Sequence, residues 1–197
     1  MGVEYELKFA ATADQQAAIR ELMPDEGRKL QMKTTYFDAP DGALSAKRIM
    51  LRLRQENDIC VCTVKTPLPD GSRGEWECEC EDVYEGTKKL CQLGAPQELA
   101  TLTACGVQEI CGAAFTREAY DVQTGEGRLE IALDRGVLMG GCKEMPLCEV
   151  EVELKEGSVE AANRFASDLA RAYGLMPEKR SKFQRALALA RGEEDGF

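Results

Sequence analysis

The stretch Val3-Glu4-Tyr5-Glu6-Leu7-Lys8-Phe9 alternates apolar and charged side chains over its whole length. Because successive side chains of a β-strand point to opposite faces, this spacing predicts a strand with one charged face and one apolar face. Further strands are predicted at residues 33–38, 49–55, 60–66, 74–82, 114–122, 128–134, 136–139 and 147–155. Turn-forming segments such as Pro67-Leu68-Pro69-Asp70-Gly71 lie between them, which indicates an antiparallel barrel or sandwich.

Helical periodicity interrupts this series. Apolar residues at helical spacing predict helices at 13–23, 158–173 and 181–191, with two short helices within 86–105. Ser158 is the predicted N-cap of the second of these helices, and Gly174 its C-terminal stop. Because no low-complexity linker interrupts the pattern, residues 1–191 are predicted to form a single domain, followed by a flexible tail at 192–197.

Composition limits the chemistry and the partners. The chain of 197 residues has no histidine, which excludes His-based triads and histidine general bases. Its net charge of −10 disfavours nucleic acid and anionic membranes as partners. Without a signal peptide or a long apolar run, a cytoplasmic protein is predicted, either monomeric or homodimeric, with a small molecule as its partner. The nine cysteines include no C-x-x-C pair and are predicted to be free, buried thiols.

The charged strand faces could lie in solvent, as in an ordinary half-exposed sheet. Two features favour an interior position instead. The charges are sorted by sign, and like charges weaken a sheet unless cations lie among them. The sorted positions are Glu75, Glu77 and Glu79, then Glu149, Glu151 and Glu153, and with opposite sign Arg52 and Arg54. The opposite faces are apolar enough to be covered by helices. A charged lumen of this kind would bind divalent cations through carboxylates and phosphate oxygens through Arg and Lys.

The order of these motifs resembles that of the CYTH superfamily, the triphosphate tunnel metalloenzymes. Glu4-Tyr5-Glu6-Leu7-Lys8 is similar to the family's E-x-E-x-K signature. The other matching segments are Tyr36-Phe37-Asp38 with Pro40-Asp41, Leu51-Arg52-Leu53-Arg54, Thr63-Val64-Lys65, Glu75 with Glu77, residues 129–134, residues 149–153, and Ser181-Lys182. The resemblance covers residues 2–190. One departure is Phe115, which stands where relatives often carry the Lys of a K-x-R pair; Arg117 retains the Arg.

The resemblance implies an α+β fold in which a closed eight-stranded antiparallel β-barrel, with helices packed on its outside, binds a triphosphate together with Mg²⁺ or Mn²⁺. The implied catalytic residues are Glu4, Glu6, Lys8, Glu151 and Glu153. The implied metal ligands are Glu4, Glu6, Glu130, Glu149, Glu151 and Glu153. The implied phosphate-binding residues are Lys8, Arg52, Arg54, Lys65, Arg117 and Lys182. Glu75 and Asp134 are further candidates.

The favoured function is metal-dependent hydrolysis of the terminal phosphate of inorganic triphosphate. Hydrolysis of thiamine triphosphate or a nucleoside triphosphate stays open, as does a class IV adenylate cyclase that converts ATP to cyclic AMP and pyrophosphate. A non-catalytic polyphosphate-binding module is the alternative from another class. Carboxylates on both the first strand and the 149–153 strand favour catalysis, because simple anion binding gains nothing from them.

Overall fold

The computed structural model describes residues 5–24, 27–67 and 73–193, so most of the predicted tail at 192–197 lies outside the described residues. An antiparallel sheet and several helices make up the described part of the chain. The strands are β1 (Glu6–Ala10), β2 (Arg28–Asp38), β3 (Met50–Glu56), β4 (Ile59–Pro67), β5 (Arg73–Glu79), β6 (Gln108–Thr124), β7 (Gly127–Gly140), β8 (Lys143–Gly157) and β9 (Met176–Pro177). The helices are α1 (Ala13–Arg20), α2 (Ala43–Ala46), α3 (Val83–Gln92), α4 (Glu98–Leu102), α5 (Val159–Tyr173) and α6 (Lys182–Arg191).

The sheet has the strand order β5-β4-β3-β2-β6-β7-β8-β1-β9. It is curved, because side chains from β1, near one edge, and from β5, at the other edge, line the same cavity. The lining side chains are Glu6 and Lys8 from β1 and Glu75 and Glu77 from β5. The predicted charged face is therefore the concave face of the sheet, and the apolar side chains of the same strands point to its convex face.

The predicted closed eight-stranded barrel is wrong, because the sheet is open and has nine strands. Within the described residues, β5 pairs only with β4 and makes no ladder with β1. The outer edge of β1 is used by β9, with Phe9 opposite Pro177 and Ala10 opposite Met176. The backbone N–H of Glu178 donates to the carbonyl of Lys8 at 2.9 Å, which extends the same contact. Backbone groups at the outer edge of β1 thus pair with the chain's own two-residue strand β9.

Two apolar clusters cover the convex face. In the first, Val152 of β8 packs in a cluster with Leu169 of α5. In the second, Val64 of β4 packs in a cluster with Leu90 of α3. Full burial of one such side chain contributes about 1.5–3 kcal/mol, so these interfaces hold the outer helices on the sheet.

Helix α6 lies on the concave face, and its predicted position on the outside is wrong. Its residue Ala186 packs in a third apolar cluster with Tyr36 of β2 and Leu138 of β7. The Phe183 ring lies 5.0 Å from the Tyr36 ring, measured between centroids. The concave face is charged toward one end of the strands and apolar toward the other, and α6 covers the apolar end. The helix therefore forms the floor of the charged cavity.

Local capping explains several element boundaries. Ser158 accepts a hydrogen bond from the Ala161 N–H at 3.1 Å, and Gly174 follows α5 with a φ of 65°, so both predicted ends of this helix are confirmed. Asp38 accepts hydrogen bonds from the N–H groups of Leu44 at 2.9 Å and Ser45 at 3.1 Å. The Tyr36-Phe37-Asp38 motif therefore fixes a turn.

No described helix is long and apolar enough to cross a membrane.

We expect Gly86→Ala to lower the free energy of unfolding by about 1–3 kcal/mol, because α3 approaches β4 too closely for a side chain. A Cβ at residue 86 would lie 2.5 Å from the Cys62 Cβ and 2.7 Å from the Cys80 Sγ. Alanine in a helix otherwise gains about 0.5–1 kcal/mol over glycine, so the sign of the effect is diagnostic. Urea unfolding of both proteins measures it. Gly125→Ala, which meets nothing within 4 Å, is the matched control, and an unchanged stability of Gly86→Ala would contradict the packing.

Candidate metal and phosphate site

The concave face of the sheet and α6 enclose a cavity of about 780 Å³. Each strand from β1 to β8 contributes at least one side chain to it. The predicted site residues that line it are Glu6, Lys8, Arg52, Arg54, Lys65, Glu75, Arg117, Glu130, Glu151, Glu153 and Lys182. Asp134 and Glu149 are fully buried in the wall behind these residues, and Glu4 lies outside the described residues. The sequence thus predicted which side chains converge, and their roles stay predictions.

Three carboxylates lie side by side across β1, β8 and β7, and we call them the outer carboxylate row: Glu6, Glu153 and Glu130. The register places Glu153 opposite both Glu6 and Glu130. Adjacent like charges repel across a strand pair unless a cation lies among them. Lys155 Nζ is 2.7 Å from Glu153 Oε2 and 3.8 Å from Glu130 Oε1, and Arg28 pairs with Glu130. Both cations are partly exposed, whereas Lys8, which lies 4.0 Å from Glu6, is largely buried. All three carboxylates of the row line the cavity.

Three further carboxylates lie deeper, and we call them the inner carboxylate trio: Asp134, Glu149 and Glu151. One oxygen from each lies within 4.8 Å of the others. Lys182 Nζ contacts all three, at 2.8 Å from Asp134, 2.6 Å from Glu149 and 2.5 Å from Glu151. Arg117 donates two hydrogen bonds of 2.7 Å to Asp134 and also pairs with Glu151. The trio is therefore held by fixed cations of the chain itself.

Burial and pairing oppose each other at the inner trio, and pairing prevails. Burial acts to raise the pKa of Glu151, but Lys182 and Arg117 hold that pKa well below its usual value. Burial likewise acts to lower the pKa of Lys182, yet Glu151, Asp134 and Glu149 raise it above its usual value. Glu151, Asp134 and Glu6 raise the pKa of Arg117 against its burial. Glu151, Lys182 and Arg117 are consequently charged at neutral pH.

Phe115, the departure from the motif pattern in the sequence, lies in the cavity wall. Its ring centroid lies 5.2 Å from Lys182 Nζ and 5.9 Å from the Arg117 guanidinium carbon. A cation over an aromatic face gains about 0.5–2 kcal/mol, so the ring supports the two cations that hold the inner trio. Phe115 therefore adds no positive charge to the cavity wall and instead stabilises the neighbouring Lys182 and Arg117.

Arg52 and Arg54 of β3 and Lys65 of β4 line the other side of the cavity, and we call these three residues the basic wall. Arg52 lies 3.3 Å from Glu77, and Lys65 lies 2.9 Å from Glu75. The Nε–H donors of Arg52 and Arg54 are buried and have no acceptor within the described part of the chain. An unsatisfied buried donor costs about 1–3 kcal/mol, so this wall is suited to a ligand that brings several acceptor oxygens.

A family model for the CYTH domain matches residues 2–187 of this sequence. The chain belongs to the CYTH domain family. An inorganic triphosphatase from Haemophilus influenzae is 30% identical over 146 residues, which are 73% of this chain and 42% of that protein. This CYTH protein thus spans less than half the length of that curated relative.

Solved structures share the fold. The PH1819 protein from Pyrococcus horikoshii OT3 is 26% identical, with a TM-score of 0.62 over 95% of this chain and 99% of that one. A Hippeastrum protein, proposed as an adenylyl cyclase and described as having a dominant triphosphatase activity, is 18% identical. Its TM-score is 0.63 over 97% of this chain and 96% of that one. The architecture of this CYTH protein is thus shared over nearly its whole length.

The outer carboxylate row has the donor chemistry of a site for the metal on which CYTH proteins depend. Its donors are carboxylate oxygens, which Mg²⁺ and Mn²⁺ prefer, and its side chains are 12–30% exposed. The inner trio has the same donor chemistry, but Lys182 lies among its oxygens. The two acidic clusters therefore share their donor chemistry and differ in the side-chain cations that surround them.

Sequence reasoning missed three residues that build the site. Arg185, one turn after Lys182 in α6, pairs with the buried Glu149. Gln16 of α1 donates to the backbone carbonyls of Asp134 at 2.9 Å and Glu149 at 2.8 Å, which fixes this part of the β7–β8 pair. Lys155 neutralises the outer row. The spacing of Lys182 and Arg185 on one helix face was a usable signal for Arg185, whereas Gln16 gave none.

We expect the stabilising contribution of Glu151 to be large at neutral pH and to disappear in acid. Breaking a buried ion pair costs about 3–5 kcal/mol, so Glu151→Gln should lose an amount of this order at pH 7. The folded carboxyl has a lowered pKa, whereas the unfolded one takes up its proton near 4.5. The wild-type advantage is therefore complete above that value and shrinks as the pH falls below it. Urea unfolding at pH 7 and pH 3.5 measures the difference.

The exposed Glu21→Gln is the control for that pH series, because it makes no buried ion pair. Its difference from wild type should stay within about 0.5 kcal/mol at both pH values. A Glu151→Gln penalty that is equal or larger in acid would show that the Lys182 and Arg117 contacts do not hold this carboxyl ionised.

Proposed function

We propose that this CYTH protein is a divalent-metal-dependent triphosphatase that hydrolyses the terminal phosphate of inorganic triphosphate or a related organic triphosphate. The observation that carries the proposal is one cavity with two opposed surfaces. The basic wall supplies buried guanidinium donors without acceptors within the described residues, and the outer carboxylate row supplies accessible oxygens. A triphosphate that carries a divalent ion would use both surfaces at once.

The basic wall would bind the phosphate chain. Inorganic triphosphate carries about four to five negative charges near neutral pH. Arg52 and Arg54 can each bind two phosphate oxygens, and Lys65 adds a point charge. Lys8 of β1 lies across the cavity, 4.0 Å from Glu6, where it can meet a phosphate next to the outer row. These cations stabilise both the bound substrate and the charge that grows on it in the transition state.

The outer carboxylate row would hold Mg²⁺ or Mn²⁺ through Glu6, Glu130 and Glu153, with Glu4 as a predicted contributor outside the described residues. When bound, the divalent ion supplies Lewis acidity and neutralises phosphate charge. A carboxylate of the row that is not engaged by the ion would accept a hydrogen bond from water and orient it toward the terminal phosphorus. The chain's own cations then hold the leaving pyrophosphate in place.

Two observations bear on the substrate. The similarity to the Haemophilus influenzae inorganic triphosphatase favours terminal hydrolysis over cyclisation. An apolar strip inside the cavity, made by Leu30, Met32, Phe115 and Ala119, would accept the organic part of a nucleoside or thiamine triphosphate. The class IV cyclase reaction stays the second candidate on this ground, because it requires a bound nucleoside. Cytoplasmic location stays a prediction from the sequence.

The purified chain should release phosphate from tripolyphosphate with Mg²⁺ or Mn²⁺, and a chelator should abolish the release. Phosphate, pyrophosphate and cyclic AMP are measured in parallel with tripolyphosphate, ATP and thiamine triphosphate as substrates. Pyrophosphate and cyclic AMP from ATP would overturn the hydrolase in favour of the cyclase. Tight binding of tripolyphosphate without turnover under any metal would instead indicate a binding module.

We expect Glu6→Gln and Glu153→Gln to lower kcat about 100-fold or more while the fold is kept, because each removes a negative charge and one of two carboxylate oxygens at the cavity. Arg52→Ala should raise KM and lower kcat, because its guanidinium holds charge in both the ground state and the transition state. Steady-state kinetics with tripolyphosphate, and circular dichroism for folding, measure these effects.

The matched controls remove the same charges outside the cavity. Glu21→Gln removes an exposed carboxylate, and Arg135→Ala removes an exposed guanidinium from β7, next to the inward-facing Asp134. Both should stay within about twofold of wild type. Full metal-dependent turnover by Glu6→Gln and Glu153→Gln would show that the outer row holds no catalytic ion.

A further inference from the structure

The inner carboxylate trio has the donor set of a divalent-metal site but surrounds an ammonium group. Lys182 Nζ lies 2.5–2.8 Å from an oxygen of each of its three members, Asp134, Glu149 and Glu151. The Lys182 ammonium donates a hydrogen bond to Glu151 and lies at ion-pair distance from the other two, and Glu149 Oε2 has no hydrogen-bond partner among the described residues. The Phe115 ring contacts the same ammonium, with its centroid 5.2 Å from Lys182 Nζ. Lys182 is thus engaged by the protein on several sides.

Charge balance separates the two acidic clusters. The trio's three negative charges are met by the positive charges of Lys182, Arg117 and Arg185, the last through its contact with Glu149. These three cations are 8–17% exposed. A divalent ion added to this balanced and buried group would bring two uncompensated charges into a poorly solvated region, which is strongly unfavourable.

The outer row differs in its cations. Lys8, which lies 4.0 Å from Glu6, is only 13% exposed. Lys155 is 28% exposed and Arg28 is 58% exposed, so each of these two can leave its carboxylate for solvent at little cost. A divalent ion can therefore replace them at Glu153 and Glu130. Displacement of Lys182 would break its contacts with all three carboxylates at a largely buried position, which costs far more than loss of an exposed ion pair.

We propose that Lys182 is a positioning residue that takes the place of a metal ion in the inner trio, so that a divalent ion binds only at the outer row. The inference rests on the proposed function in that it assumes a divalent ion at the outer row. It changes the predicted role of Lys182 from a phosphate contact to a fixed internal cation. Glu151 and Glu149 change with it, from metal ligands to acceptors for Lys182, Arg117 and Arg185.

Binding of Mn²⁺, followed by the electron paramagnetic resonance signal of the free ion, tests this without any turnover. Lys182→Ala removes the ammonium and should bind one more equivalent of Mn²⁺ than wild type. Lys155→Ala, which removes a cavity cation outside the trio, is the matched control and should leave the number of equivalents unchanged. Circular dichroism confirms that each variant is folded.

Two variants that retain Lys182 keep the test decisive if Lys182→Ala does not fold. Asp134→Asn should leave the wild-type Mn²⁺ affinity within about twofold, whereas Glu153→Gln should lower it about tenfold or more. The inference is overturned if Asp134→Asn weakens Mn²⁺ binding as much as Glu153→Gln, or if a folded Lys182→Ala gains no equivalent.

The outcomes also separate this inference from the proposed function. A wild-type chain that binds no Mn²⁺ would remove the metal dependence on which the triphosphatase proposal relies. The gain of an equivalent by Lys182→Ala would still support the substitution of the ammonium for a metal ion. Conversely, a metal-dependent triphosphatase in which Asp134→Asn abolishes Mn²⁺ binding would keep the function and refute the role of Lys182.

Discussion

The contact between Lys182 and the buried carboxylates of β7 and β8 is the interaction on which the rest of the structure depends. A sheet cannot bury Glu149 and Asp134 side by side unless cations accompany them, because their charges repel and both are cut off from water. Lys182, Arg185 and Arg117 provide those cations from two different elements. Two of the three come from α6, so the charge pairing also fixes this helix on the concave face.

The position of α6 has a consequence for the shape of the site. The concave face needs an apolar cover at one end, where Tyr36, Met50 and Leu138 cluster, and α6 provides it through Phe183 and Ala186. The same helix presents Lys182 at its first turn, immediately after its N-cap Ser181. One element therefore closes the floor of the cavity with its apolar residues and balances the buried charges with its basic ones.

Much of this could be predicted from the sequence, because the period of two assigns each side chain to a face. The alternation in residues 147–155 correctly predicts that Glu149, Glu151 and Glu153 share one face, and it is the sorting of charges by sign that indicates an interior. What failed were features decided by contacts between distant segments. The pairing of β9 with β1 depends on two residues that carry no strand signal, and it leaves the sheet open where a closed barrel was expected.

The roles of individual carboxylates were beyond the sequence for a related reason. Glu149, Glu151 and Glu153 are equivalent in the alternating pattern, yet their side chains are 0%, 6% and 20% exposed. The difference arises from their depth in the curved sheet and from which cation each one meets. From their spacing alone, all three are predicted to be metal ligands, whereas their different depths give them different surroundings.

That division follows a gradient along the strands. At the open end, Glu153 and Glu130 meet the partly exposed Lys155 and Arg28, and Glu6 lies 4.0 Å from the more buried Lys8. Two residues further along the strands, Lys8 lies opposite Glu151, and two residues beyond that Ala10 lies opposite Glu149. Along β8 the exposed fraction of the glutamate side chain falls from 20% at Glu153 to 6% at Glu151 and 0% at Glu149. The two-residue repeat of β8 thus sets three carboxylates at successive depths on one face of the sheet, and the deepest of them depend on cations that the chain itself supplies.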